Sequence, residues 1–189
     1  MVDDAQGTLE GLGGPADDPV GVADPVPQEA GPVGGDGDDD GSGSGEHGGT
    51  PTVVYTDGSC RGNPGPGGWA WAVDGGPSDS GGEAHTTNQR MEITAALRAI
   101  RSIGGPVHVV SDSTYVVNCF RNRWWSGWRR KGWRNAQGKP VANRDLWEEI
   151  LDLALDPARE VTFEWVKGHS GDRMNDLVDR LATEAADRA

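Results

Sequence analysis

Cysteine is scarce in this chain: Cys60 and Cys119 are the only two in 189 residues. They are too few and too far apart for a disulfide framework or a cysteine-built zinc site. Free thiols are expected, and with them a reducing compartment, the cytoplasm. Long apolar runs are missing as well. No stretch approaches the ~18 apolar residues of a membrane-spanning helix, and the N-terminus lacks the basic-then-apolar layout of a signal peptide. No membrane association is expected.

Residues 1–50 lack still more, for they hold no lysine, no arginine and no aromatic side chain. Twelve of the 30 acidic residues fall there, with 14 of the 30 glycines and five of the 12 prolines. That leaves eighteen acidic against seventeen basic residues beyond, so the net charge of −13 belongs almost wholly to this segment. The acidic balance therefore does not argue against a nucleic-acid partner. A segment so poor in apolar surface cannot offset its ordering entropy, and residues 1–50 are expected to form a disordered tail. Its acidity reads either as solvation or as a nucleic-acid mimic that competes for a basic surface.

The composition changes at Pro51, and all eight tryptophans lie beyond it. Strands are expected over 52–56, 67–73 and 80–85, the first two joined by a wide glycine- and proline-rich hairpin turn. A helix opens at Thr87 or Asn88 and runs to about Ile103, where Gly104-Gly105-Pro106 stops it. A short apolar strand over 107–110, buried on both faces, precedes Ser111-Asp112-Ser113, a place for a helix cap. Helical pieces over 124–130 and 143–155, a strand over 161–166 and a last helix over 173–188 complete the domain, 51–189. Strands in a meander, followed by strands alternating with helices, give an α/β fold with a mixed sheet and helices packed on it.

The stretch YTDGSCRGNPGPGG, residues 55–68, poses the functional question. A glycine-rich turn after a strand can cradle phosphate, form a hairpin or rim an acidic metal site. No G-K-[S/T] closes it, so it is not a Walker loop. More telling is where acidic residues sit against apolar structure. Asp57 is expected at the end of the first strand and Asp112 at the end of the strand over 107–110. Glu92 lines up with Ala95, Ala96, Ala99 and Ile103 on a helix flank, and Asp179 flanks the Met174/Leu177/Val178/Leu181/Ala185 stripe. Taken singly, Asp112 can cap a helix, Glu92 can pair with an arginine and Asp179 can be solvated. Taken together the four can converge, and such a like-charge cluster needs a multivalent cation. Oxygen-only ligands select a hard ion, Mg²⁺ or Mn²⁺.

These segments, with TTNQRME (86–92), Asp112-Ser113, GWRRKGW (127–133), DLW (145–147), EWVKGHSG (164–171) and NDLVDRLA (175–182), resemble the bacterial form of ribonuclease H type 1. They keep the family's order and spacing across nearly all of the folded part. The resemblance implies the ribonuclease H-like fold: a mixed five-stranded sheet, its first three strands antiparallel, with helices on both faces. It implies hydrolysis of the RNA strand of an RNA/DNA hybrid with two Mg²⁺ ions, Mn²⁺ being a possible substitute, and 5′-phosphate and 3′-hydroxyl ends. By match, Asp57, Glu92, Asp112 and Asp179 are the metal-binding carboxylates and His169 a mobile proton carrier or an aid to product release. Cys60, Asn63, Asn88 and Gln89 match positions that contact the hybrid, and Thr87 and Asn143 a pocket for a DNA-strand phosphate. Turn and cap chemistry is the plainer role for Asn63 and Asn88.

Between Asp112 and Asp145 there is no acidic residue, while basic residues including Arg129, Arg130 and Lys131 interleave with Trp124, Trp125, Trp128 and Trp133. This segment, about 121–144, resembles the basic handle of bacterial members, with Trp124 and Trp128 expected to face DNA. Gln89, Thr114 and His85 depart from residues frequent at their positions in the family. A monomer with no obligate protein partner is expected. The alternatives are a catalytically silent hybrid-binding module and another nuclease of the same fold.

Overall fold

The computed structural model describes residues 49–189. The expected tail, residues 1–50, therefore lies almost wholly outside the described residues. Five strands form one sheet in the order β3-β2-β1-β4-β5: β1 (Thr52–Cys60), β2 (Gly65–Ala72), β3 (Ser78–Thr86), β4 (Val107–Ser111) and β5 (Val161–Trp165). The first three form an antiparallel meander. The parallel strands β4 and β5 are then added beside β1. This is the mixed sheet expected.

Side-chain alternation divides the β1–β2 ribbon into two faces. Val54 on β1 and Trp69 and Trp71 on β2 turn toward the larger core, with α1 (Asn88–Ser102), α2 (Thr114–Arg121) and α4 (Arg144–Ala154). Tyr55, Ala70 and Ala72 turn the other way and meet Met174, Val178 and Ala182 of α5 (Arg173–Asp187). Helices thus cover both faces. Each large apolar side chain sealed in this way stabilises the fold by about 1.5–3 kcal/mol.

Local chemistry fixes where the helices begin and end. Thr87 caps α1, its hydroxyl accepting from the Arg90 amide at 3.3 Å. Ser113 caps α2 and Asp172 caps α5 in the same manner. Beyond the end of α1, the Arg159 guanidinium donates to the carbonyls of Ile103 and Gly105, acceptors left without helical partners.

One boundary differs from expectation in a way that matters. β1 does not stop at Thr56 but continues to Cys60, so Asp57 lies inside a strand, paired with Ala70 of β2. The ladder runs on through the glycines because bare backbone lets helices close on both faces. A Cβ on Gly58 would overlap the backbone at Met91 and Glu92, and one on Gly68 would overlap that of α5 at Ala182 and Ala186. No described helix is long and apolar enough to cross a membrane.

Candidate active site

The parallel pairing of β1 with β4 ends at Thr56 and Ser111. Asp57 and Asp112 are the next residues along the chain from each, so both emerge side by side at the carboxyl edge of the parallel sheet, where open α/β sheets place their sites. The glycine contacts then bring in the two helices. Gly58 lets α1 sit directly on β1 at Glu92, and Gly68 lets α5, which carries Asp179, approach from the opposite face. All four carboxylates named from the sequence therefore meet at one edge.

Each is held differently. Asp57 is only 8% exposed. Glu92 is gripped on both oxygens, accepting from Asn88 Nδ2 at 2.9 Å and from Ser113 Oγ at 2.5 Å. Ser113 also accepts from the Val116 amide, so one hydroxyl caps α2 and orients Glu92. Because Ser113 provides the cap, Asp112 is left for other work. Its Oδ2 accepts from Asn175 Nδ2 at 3.4 Å, and its carbonyl accepts from the Trp165 indole at 3.0 Å. A Cβ on Gly168 would lie 2.5 Å from the same Oδ2, so the β5–α5 loop packs close against it.

Crowding shows in the protonation equilibria. Burial, then the charges of Asp112 and Asp179, push Asp57 up to about 8. Burial is also the main cause that lifts Glu92 to about 7, against the hydrogen bond from Ser113. Among the described residues none of the four forms an ion pair; Arg90, two residues from Glu92, goes instead to Asp145 at 2.8 Å. Nor do any three His, Cys, Asp or Glu side chains among the described residues lie close enough to share an ion as they stand. A cation would have to draw the carboxylates in. Oxygen donors, mutual repulsion and burial without a cationic partner together fit a hard divalent ion.

The other sequence-named residues fall into three groups. His169 is exposed in the loop before α5, next to Gly168, with a left-handed backbone at φ 53°. The hairpin places Asn63 beside α1, where its Oδ1 accepts from the Asn88 amide at 3.2 Å. The half-buried Cys60 thiol lies 3.5 Å from the carbonyls of Gly65 and Thr86, and Gln89 is on the first turn of α1, exposed. Thr87 and Asn143 are linked through Arg90, whose amide donates to Thr87 and whose guanidinium donates to Asn143 at 3.4 Å.

The handle requires a correction. Trp128, on α3 (Trp124–Arg130), does not face outward. It is 6% exposed and packs among Trp124, Trp133 and Trp147. A helix this short gains its stability from tertiary burial, and Trp128 is the side chain it buries. Trp124 is half-buried against the same core. Arg129 lies over Trp125 and reaches Asp152 at 3.6 Å, whereas Arg130 and Lys131 are exposed and make no ion pair among the described residues.

Two groups at this edge escape sequence reasoning. The sequence marks Ser113 only as part of a helix cap and of the matched pair Asp112-Ser113. It carries Asn175 only within the matched segment 175–182. A signal is nevertheless present there: a polar residue four positions before Asp179, on the flank of an otherwise apolar helix stripe.

The ribonuclease H family model matches residues 49–187. The chain is 49% identical over 139 residues to the ribonuclease H of a Thermus thermophilus strain, covering 71% of this chain and 82% of that protein. It is 46% identical to that of Erythrobacter litoralis, covering 71% and 94%. Among solved structures it is similar to LC9-RNase H1, described as a type 1 RNase H with the type 2 active-site motif. That match has a TM-score of 0.60 and 32% identity, covering 72% of each chain. A family match over nearly all described residues, on a sheet of the expected order, establishes that this chain belongs to the ribonuclease H family.

Proposed function

We propose that the domain over 51–189 is an endonuclease that hydrolyses the RNA strand of RNA/DNA hybrids with two divalent cations, Mg²⁺ or in its place Mn²⁺. The observation that carries this is the meeting of Asp57, Glu92, Asp112 and Asp179 at one sheet edge with no ion pair among the described residues. These four would hold the ions. When bound, such cations supply activation of water and stabilisation of charge on a leaving oxygen.

The chain's own residues do the rest. Ser113 and Asn88 orient the Glu92 carboxylate, limiting the rotation it must make before use. Water oxygen joins phosphorus, the bond from phosphorus to the 3′ oxygen breaks, and that oxygen leaves with a proton. The ends are a 5′-phosphate and a 3′-hydroxyl. The exposed imidazole of His169, on a loop beside Asp112, carries protons at its ring nitrogens. Asn63, Asn88 and Gln89, with the backbone near Cys60, line the hairpin side where a 2′-hydroxyl distinguishes RNA from DNA. Thr87 and Asn143 face a DNA-strand phosphate, and Trp124, Arg129, Arg130 and Lys131 follow the duplex backbone.

End-labelled hybrid incubated with and without Mg²⁺, beside Asp57→Asn, tests the proposal. RNA should be cut only in the hybrid and only with the ion, and the variant should lose at least about a thousandfold, roughly 4 kcal/mol of barrier. Tight hybrid binding with no cutting in Mg²⁺ or Mn²⁺ would instead make the domain a binding module. Cutting of plain DNA would point to another nuclease of the fold.

A further inference from the structure

We propose that Asn175 is a positioning residue for the divalent cation, its Nδ2 holding Asp112 and its Oδ1 accepting from a water of the cation's hydration shell. The inference rests on reading the carboxylate edge as a metal site, and it adds to that site a residue from the first turn of α5.

Asn175 is 1% exposed, and its Oδ1 has no hydrogen-bond partner among the described residues. Its orientation is not free. An ionised Asp112 can only accept, so the amide must turn its NH₂ toward Asp112 Oδ2, at 3.4 Å, and its carbonyl away. The backbone is fixed as well, since the Asp172 cap accepts from the Asn175 amide at 3.0 Å. A buried acceptor left unmet destabilises the fold.

The groups gathered at this edge are mainly carboxylates, which when ionised have no hydrogen to give. Asp179 lies four residues on, on the same side of α5. What the site needs near Asn175 is therefore a donor that arrives with the ligand. Mg²⁺ sheds water reluctantly and keeps several hydration waters when bound by carboxylates, and their hydrogens point outward from the ion. Asn175 Oδ1, on the same amide as the Nδ2 that meets Asp112, is the buried acceptor assigned to one of them.

Calorimetric titration of Mg²⁺ and Mn²⁺ into the full chain, Asn175→Ala and Asn175→Asp tests this, with thermal melts to verify folding. Asn175→Ala should bind the ions about tenfold more weakly or worse, the range found for residues that orient metal ligands. Asn175→Asp keeps an oxygen at the acceptor position but loses the donor to Asp112, so it should bind more tightly than Asn175→Ala and no more tightly than the parent. If the alanine variant does not melt cooperatively, Asn175→Ser, whose oxygen is too short to reach, replaces it with the same expectation. Parental affinity in a folded alanine or serine variant overturns the inference. So does parental ion affinity with a raised KM for hybrid, which would assign the orphaned oxygen to the nucleic acid. A parent chain that binds no ion overturns the metal site itself.

Discussion

Asp57 is a charge shut between two helices, whereas Arg130 and Lys131 on the handle face solvent with no ion pair among the described residues. At the carboxylate edge the backbone does the placing: strand register, glycine contacts and helix caps leave each acid little freedom. On the handle the apolar side chains do it, with Trp128 turned inward and the cations spread around it. Bond breaking needs groups fixed to fractions of an ångström, and the protein accepts buried repulsion to achieve it. Phosphate binding needs charge at roughly the right distance, which long exposed side chains provide without strain. One surface sets buried carboxyls against one another, and the other leaves the fold alone.

The largest effects should come where that difference is removed. In metal-free protein the Asp57 carboxyl is raised from 3.8 to about 8, first by burial and then by Asp112 and Asp179. An acid with a raised folded pKa adds most stability below its unfolded pKa and loses it as pH climbs through the folded value. Melting temperature without divalent ions should therefore fall between about pH 4 and pH 8, with Glu92 acting in the same direction. Asp57→Asn removes the charge and should melt higher than the parent by about 5 °C or more at pH 8, the gap closing toward pH 4. A gap that is constant with pH would mean the carboxylate is not buried against its neighbours.

Trp128→Ala tests the handle from the inside. Removing this indole should cost about 3–5 kcal/mol of stability in denaturant melts, as for other buried tryptophans. A folded, fully stable variant with weakened hybrid binding would return Trp128 to the DNA-facing role expected from the sequence.

That reversal shows what the sequence could and could not disclose. Periodicity and punctuation located the elements, because caps such as Thr87 and breakers such as Gly104-Gly105-Pro106 act within a few residues. Glu92 and Asp179 stood out as charges on the flanks of apolar helix stripes, and Asp57 and Asp112 as acids at strand ends. Trp128 was not legible, since a tryptophan among arginines serves equally well as core or as surface, and only the position of α4 beneath it decides. The extension of β1 through Asp57 was also hidden. It depends on two helices closing over glycines, and local glycine content alone reads as a turn. Asn175 escaped because its importance lies in Asp112, 63 residues away.

His169→Ala belongs between the two regions, because His169 is exposed like the handle yet lies beside the carboxylate edge. Loss of a proton carrier typically costs about a hundredfold in turnover, so cleavage should remain measurable where Asp57→Asn leaves almost none. The fall should appear in kcat, with KM for hybrid nearly unchanged. Equal losses in the two variants would place His169 on a par with the carboxylates and break this ranking.

The smallest and most selective effect should come from reversing handle charge. Arg130 and Lys131 are exposed and make no ion pair among the described residues, so converting both to glutamate removes cations without breaking a described contact. If each neutralises one backbone phosphate, the slope of log affinity against log salt should shrink by about 2, and equally for hybrids of any sequence. Stability and kcat at saturating hybrid should hold, because neither residue touches the core or the carboxylate edge. An unchanged slope would show that the duplex does not run over this helix, and the handle's charge would then need another partner. A lower kcat at saturation would show that the handle also positions the scissile phosphate, and the division between a placing edge and a gripping edge would no longer hold.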